Sequence, residues 1–199
     1  MDMIIIAGFL GSGKTTLILN TIERISEITD KKVAVIVNDF GNIGIDGKVM
    51  ERYGLKVQEL PRGCICCTLG PNFLDTVRIL DDKYSPDLVI VEPSGIADPD
   101  ALLATMEHYH GKPLGYIKTV ILLDAVRFPV LIQAMKHPLQ IQIRAADMLL
   151  LTKSDEVDPS RIQEMIGYIR ERREDIPVLE VSSTDGRNLD DFVQRMVGQ

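Results

Sequence analysis

A glycine-rich segment early in the chain has the residue types and spacing of a phosphate-binding loop. Residues 8–15 read Gly-Phe-Leu-Gly-Ser-Gly-Lys-Thr, which fits the pattern G-x-x-x-x-G-K-[ST]. The segment follows an apolar run and precedes an amphipathic stretch, the context that supports the pattern. In such loops backbone N–H groups and a helix N-terminus attract phosphate, the lysine reaches the outer phosphates, and the hydroxyl ligates Mg²⁺. The residues predicted to bind the phosphates are Gly8, Gly11, Ser12, Gly13, Lys14, Thr15 and Thr16.

A second segment, Thr152-Lys153-Ser154-Asp155, has the form expected for guanine recognition. Its aspartate can accept hydrogen bonds from guanine N1–H and N2–H₂, whereas adenine offers neither donor and leaves a carboxylate unpaired. We predict that Lys153 lies along the base and sugar. We also predict that the loop at Ser182 and Ser183 supplies a backbone N–H to guanine O6. A helix-capping turn is the alternative interpretation of Thr152–Asp155 taken alone.

Two acids follow apolar runs and are candidates for magnesium binding and for orienting water. Glu92 follows Leu88–Val91 and is predicted to hold Mg²⁺ together with Thr15. Asp39, in a candidate switch segment, is predicted to orient the attacking water. Gly95 can offer its N–H to the γ-phosphate, so its segment should respond to hydrolysis. Lys14, Asp39 and Glu92 form the predicted catalytic set, with slow intrinsic turnover because phosphoryl transfer depends mainly on charge placement.

All three cysteines lie within one short segment, at Cys64, Cys66 and Cys67. Thiolates this close suit a d-block ion such as Zn²⁺ or Cu(I) in a reducing compartment. Three adjacent thiolates leave a tetrahedral shell incomplete, which favours a site that loads and releases metal. Buried packing cysteines and a redox role for Cys66 and Cys67 are the alternatives.

The elements that must position these residues alternate along the whole chain. Continuous apolar runs of the kind buried in parallel sheets occur at residues 3–7, 33–37, 88–91, 120–123 and 148–151, and more weakly at 178–181. Residues 55–58 alternate and predict an edge or half-exposed strand. Helical stripes are predicted at Ile18, Ile22, Ile25 and Ile28; Ile162, Met165, Ile166 and Ile169; and Leu189, Phe192, Val193 and Met196. This alternation predicts a doubly wound α/β fold, mostly parallel, in a single domain over 1–199.

Composition and charge narrow the possible functions. The chain has 22 Lys plus Arg against 29 Asp plus Glu, for a net charge of −7. This negative balance argues against nucleic-acid or anionic-membrane binding, which needs a basic surface. No apolar run approaches a membrane span, and three clustered cysteines are no disulfide framework. A cytoplasmic location is therefore expected.

Together these segments carry a family resemblance. The chain resembles the GTPase domain of CobW-type proteins, which are similar to the maturation GTPases UreG and HypB of the SIMIBI class. The resemblance rests on five segments that occur in the expected order, at residues 8–16, 38–46, 63–68, 92–99 and 152–155. The Cys-x-Cys-Cys element is the most specific part. The resemblance implies GTP/GDP and Mg²⁺ as cofactors, delivery of Zn²⁺, Co²⁺ or Ni²⁺ to a client metalloprotein, and nucleotide- or metal-dependent homodimers. A nucleotide-gated adaptor that carries no metal and a small-molecule kinase remain the alternatives.

The sequence departs from the family pattern at three places. The first switch usually reads Asn-Glu-Phe-Gly-Glu, whereas residues 38–42 read Asn-Asp-Phe-Gly-Asn. The guanine motif usually begins with Asn, where this chain has Thr152. CobW-type proteins usually continue into a C-terminal domain, whereas this sequence stops at Gln199, so we expect the client to be recognised by the GTPase domain itself.

Overall fold

The computed structural model describes residues 1–29, 31–37, 56–59, 70–95 and 98–197. Within these ranges the strands are β1 (Asp2–Gly8), β2 (Val33–Val37), β3 (Lys56–Glu59), β4 (Leu88–Glu92), β5 (Ile117–Asp124), β6 (Met148–Thr152) and β7 (Val178–Glu180). The helices in the same ranges are α1 (Lys14–Ile28), α2 (Gly70–Tyr84), α3 (Pro99–Met106), α4 (Phe128–Ala134), α5 (Lys136–Ala145), α6 (Pro159–Arg170) and α7 (Leu189–Val197).

The described strands form one sheet in the order β3-β2-β4-β1-β5-β6-β7, and every neighbouring pair is parallel. Strand β1 lies between β4 and β5, with Ile5 opposite Val91 and Gly8 opposite Leu122. The five continuous apolar runs are the five inner strands, since an inner strand of a parallel sheet is covered on both faces. The predicted doubly wound α/β fold is confirmed, and the alternating segment at 55–58 contributes to an edge strand.

Helices cover both faces of the sheet and divide the core in two. Side chains of β1 alternate between the two cores, with Met3 and Ile5 in one and Ile4 and Ile6 in the other. Helices α2 to α6 contribute buried residues to the first core, and α1 and α7 to the second. In the described ranges, no helix combines the length and apolar character needed to cross a membrane.

The predicted helical stripes match the buried faces of α1, α6 and α7, with one exception. Ile18, Ile22 and Ile25 are buried, but Ile28 is 55% exposed because α1 ends there and leaves the sheet. Helix α6 begins at Pro159 after its N-cap residue Asp158, whose side chain makes no capping hydrogen bond.

The polar residues of interest collect at one edge of this sheet. Gly8, Glu92, Asp124 and Thr152 are the last residues of β1, β4, β5 and β6, four consecutive neighbours in the sheet. Because the strands are parallel, their carboxyl ends meet at the same edge, where open α/β sheets bind ligands. This edge is the candidate functional site.

Candidate functional site

The loop between β1 and α1 has a backbone that only certain residues permit. Gly8 has φ of +143°, and a Cβ there would lie 2.5 Å from the carbonyl oxygen of Leu122 on β5. Gly13 has φ of +91° and is the N-cap residue of α1. Since residues other than glycine rarely adopt these conformations, the two glycines shape the turn that brings the N-terminus of α1 over the sheet edge. Free N–H groups at this terminus attract anions.

Lys14 is the first residue of α1, and its side chain turns back over the loop. Its Nζ donates to the carbonyl oxygens of Gly8 at 3.0 Å and Phe9 at 3.3 Å, and the residue is only 7% exposed. Burial lowers the pKa of Lys14; the Glu92 carboxylate opposes that effect, and Arg127 adds to it. The ammonium group is thus held between the loop and an acid, and Thr16 lies exposed on the same first turn.

Thr15 and Glu92 join the loop to the end of β4. The Thr15 hydroxyl lies 2.8 Å from Oε1 and 3.0 Å from Oε2 of Glu92. Burial raises the pKa of Glu92, while the Thr15 hydrogen bond and the charge of Lys14 act in the opposite direction. Hydroxyl and carboxylate oxygens are ligands that Mg²⁺ prefers, so this pair fits the predicted magnesium site.

Gly95 packs directly against the phosphate-loop backbone. A Cβ on Gly95 would lie 2.7 Å from the Leu10 nitrogen and 3.1 Å from its Cα, closer than a side chain can approach. The segment after β4 therefore touches the loop through its backbone. This is the placement expected of a segment that senses the outer phosphate.

Thr152 and Lys153 tie the end of β6 to its neighbours. The Thr152 hydroxyl donates to the carbonyl oxygen of Ser12 at 2.9 Å, where Ser12 is itself buried in the phosphate loop. Lys153 has φ of +57°, and its Nζ lies 2.8 Å from Oδ2 of Asp124. The segment predicted to recognise guanine is thus anchored to the segment predicted to hold phosphate.

Asp155 and the Ser182–Ser183 loop lie at the ends of β6 and β7. Asp155 is exposed and borders a cavity of about 500 Å³. The Ser182 hydroxyl is buried and accepts from the backbone N–H groups of Thr184 and Asp185, so Ser182 shapes the loop. Ser154 donates through its hydroxyl to the carbonyl of Val181 at 3.2 Å, which connects the two segments.

The remaining predicted residues lie outside the described part of the chain. Asp39 belongs to the range 38–55, and Cys64, Cys66 and Cys67 belong to the range 60–69. Their roles in water orientation and metal binding therefore remain predictions. Among the described residues, no group of three or more His, Cys, Asp or Glu is placed to hold a metal ion.

The sequence analysis did not predict three residues at this edge, which are Asp124, Arg127 and Asn20. Asp124 ends β5 with a fully buried side chain, and Arg127 and Lys153 both bind it. Asn20 on α1 donates to the carbonyl of Ser183 at 3.3 Å and so holds the last loop. An acid directly after the apolar run 120–123 was a usable signal for Asp124, as it was for Glu92. Asn20 offered none, because its partner is distant in sequence.

Comparison with known proteins relates this chain to a known family. The family model described as "CobW/HypB/UreG, nucleotide-binding domain" matches residues 2–180. A protein named zinc chaperone YeiR, from Escherichia coli K12, is 31% identical over 189 residues, which cover 94% of this chain and 57% of that protein. A protein named zinc-regulated GTPase metalloprotein activator 1, from Dictyostelium discoideum, is 39% identical over 108 residues, which cover 48% of this chain and 22% of that protein.

Solved structures show the same fold. Hydrogenase maturation factor HypB from Archaeoglobus fulgidus has a TM-score of 0.71 at 20% identity, covering 100% of this chain and 89% of that one. The Zn(II)-bound YjiA GTPase from E. coli has a TM-score of 0.68 at 24% identity, covering 96% of this chain and 62% of that one. The chain spans about half the length of the curated relatives it matches. It belongs to the CobW/HypB/UreG family of nucleotide-binding domains.

Proposed function

We propose that this chain binds and hydrolyses GTP and couples its nucleotide state to the binding and delivery of a transition metal. The observation that carries the nucleotide half is the convergence of Lys14, Thr15 and Glu92 at the N-terminus of α1. This arrangement supports a bound phosphate chain with an oxygen-liganded cation beside it. Family membership supports the same activity.

The hydrolytic chemistry that these residues support is mainly electrostatic. Lys14 presents a positive charge to the outer phosphates, and the backbone N–H groups of the loop hold the phosphate oxygens. Thr15 and Glu92 would hold Mg²⁺, and the ion would supply charge neutralisation when bound. Asp39 orients the attacking water. We expect slow turnover, well below about 1 per second, as for unassisted GTPases.

Lys14→Ala tests the nucleotide half. Removing the ammonium group should abolish detectable GDP and GTP binding by calorimetry. Arg195, which pairs with Asp191 on α7 away from this edge, offers a control as Arg195→Gln with unchanged binding. Unchanged binding in Lys14→Ala would remove the basis of the proposal.

The metal half rests on the cysteine cluster and on the names of relatives. Cys64, Cys66 and Cys67 supply thiolates, and several relatives are named zinc chaperones, which supports Zn²⁺ as the cargo ahead of Co²⁺ or Ni²⁺. If metal and nucleotide sites are coupled, GTP must change metal affinity by the same factor by which metal changes GTP affinity.

Metal analysis of the protein with and without GTP tests the metal half. We expect one Zn²⁺ per chain, a nucleotide-dependent affinity, and loss of metal when the three cysteines become serine. The control replaces the exposed His108 and His110 by asparagine, which should leave metal binding unchanged. A chain that binds GTP but no metal would instead be a nucleotide-gated adaptor of its client.

A homodimer that depends on nucleotide or metal is part of the same proposal. Sedimentation of the protein alone, with GDP, and with a slowly hydrolysed GTP analogue, each with and without Zn²⁺, tests it. An unchanged sedimentation coefficient in all six samples would refute a switchable dimer.

A further inference from the structure

A buried carboxylate at the end of β5 connects two parts of the site. The Asp124 side chain is fully buried, and its Oδ2 accepts from Lys153 Nζ and from Arg127 Nε, each at 2.8 Å. Its Oδ1 accepts from the backbone N–H groups of Val126 at 3.0 Å and Arg127 at 3.2 Å. A buried acid with this many donors is a rigid anchor, because every lone pair has a fixed partner.

Arg127 extends from this anchor to the phosphate loop. Its Nη2 donates to the carbonyl oxygen of Leu10 at 2.5 Å. The guanidinium lies beside Gly11, where a Cβ would be 3.0 Å from Nη2 and 3.3 Å from Nη1. The side chain of Arg127 is about half-exposed. Its positive charge adds, after burial, to the lowering of the Lys14 pKa.

The peptide bond that Arg127 holds is one that faces phosphate in loops of this type. A trans peptide is planar, so the Leu10 carbonyl and the Gly11 N–H point in opposite directions. A cation bound to the carbonyl fixes the direction of the N–H on the other side and polarises it as a donor. Backbone N–H groups are the main phosphate ligands of such loops.

We infer that Arg127 is a positioning residue for the nucleotide phosphates. Arg127 is held by Asp124, which also binds Lys153, and from there it orients the Leu10–Gly11 peptide. This inference rests on the proposed nucleotide site. Arginine suits the role because Nε and Nη2 donate in two fixed directions, one to Asp124 and one to Leu10. Lysine has a single ammonium group and cannot reproduce this fork.

Calorimetric titration of the full chain with Mg²⁺ and GDP tests the inference. Arg127→Gln should weaken GDP binding by about tenfold, the usual effect of losing a charged hydrogen bond. Arg127→Lys should recover only part of this and stay at least about threefold weaker than the unaltered protein. Arg195→Gln, another arginine-to-glutamine change at a half-exposed ion pair, lies near the opposite end of the sheet and should bind GDP as the unaltered protein does.

Melting temperatures without nucleotide separate positioning from folding. Arg127→Gln should melt within about 4 °C of the unaltered protein, because the glutamine amide nitrogen can keep the hydrogen bond that Arg127 Nε donates to Asp124 and the remaining loss is about 1 kcal/mol. A fall of more than about 5 °C, GDP affinity within twofold of the unaltered protein, or full recovery by lysine would each overturn the inference. Lys14→Ala is titrated with GDP in parallel. If Lys14→Ala still binds GDP, the proposed nucleotide site itself is wrong. If Lys14→Ala loses GDP binding while Arg127→Gln binds GDP normally, only the positioning role of Arg127 is wrong.

Discussion

Replacing Thr152 with valine removes the hydrogen bond between the segment predicted to recognise guanine and the predicted phosphate loop. The Thr152 hydroxyl lies 2.9 Å from the carbonyl oxygen of Ser12 and 3.4 Å from that of Leu123, and the residue is buried. Valine has nearly the same shape but no donor. The Ser12 carbonyl then loses a partner in a buried place, so the change acts on the loop backbone without opening a cavity.

The magnitude follows from the burial of that carbonyl. Leaving a buried acceptor unsatisfied costs about 1–3 kcal/mol of folding free energy. We expect a loss of about 1–2 kcal/mol here, because Ser12 belongs to a loop whose backbone can adjust. For a chain of this size, the melting temperature of Thr152→Val without nucleotide should fall by about 2–8 °C. GDP should bind about fivefold more weakly, as expected for about 1 kcal/mol spent in holding the loop.

Thr152→Ser is the matched control, because serine keeps the hydroxyl and loses only the methyl group. Scanning calorimetry and GDP titration of both variants give the comparison. Thr152→Asn restores the residue usual in the guanine motif and shows whether an amide can replace the hydroxyl at this distance. If Thr152→Val melts and binds GDP as Thr152→Ser does, the bond to Ser12 has no energetic role and the reasoning is wrong.

Three further changes test other parts of the structure. Burial raises the pKa of Glu92 above its ordinary 4.5, so the folded state holds that proton more tightly than the unfolded state and loses stability as the pH rises. The melting temperature of Glu92→Gln, relative to that of the unaltered protein, should therefore be higher at pH 7.5 than at pH 5. An equal difference at the two pH values would contradict this. Asp155→Ala should bring the ratio of ATP to GTP dissociation constants towards one in competition titrations, whereas Asp158→Ala beside the same cavity should preserve it. Phe192→Ala should lower the urea-derived free energy of unfolding by about 3–5 kcal/mol because its ring is fully buried, against almost no change for the exposed Val130→Ala.

The strands of this fold were predictable because burial on both faces leaves a clear pattern. The runs 3–7, 33–37, 88–91, 120–123 and 148–151 each lie within an inner strand of the sheet. Helices α4 and α5 were not predicted, since Pro129 and Pro138 interrupt the segment and the two short helices meet at Met135. Short helices with a proline in the first turn carry too few apolar repeats to show a stripe.

The candidate site was predictable where its residues are contiguous. Lys14 and Thr15 belong to one loop, and Glu92 follows a strong strand signal. The contact of Arg127 with Leu10 spans 117 positions and depends on how β5 is placed beside β1. No local pattern encodes such a contact, so only the assembled sheet reveals it.

The position of β1 at the centre of the sheet has a consequence for synthesis on the ribosome. Strand β1 pairs with β4 and β5, whose residues follow about 80 to 115 positions later, and the phosphate loop is held by Thr152, 140 positions after Ser12. At about 5–20 residues per second, the loop waits about 7–28 s after its own synthesis for this partner. An apolar strand made early and paired late is exposed throughout that interval. The phosphate loop therefore gains its hydrogen bond from Thr152 only after β6 is made, and we expect the loop to bind nucleotide at full strength only from that point.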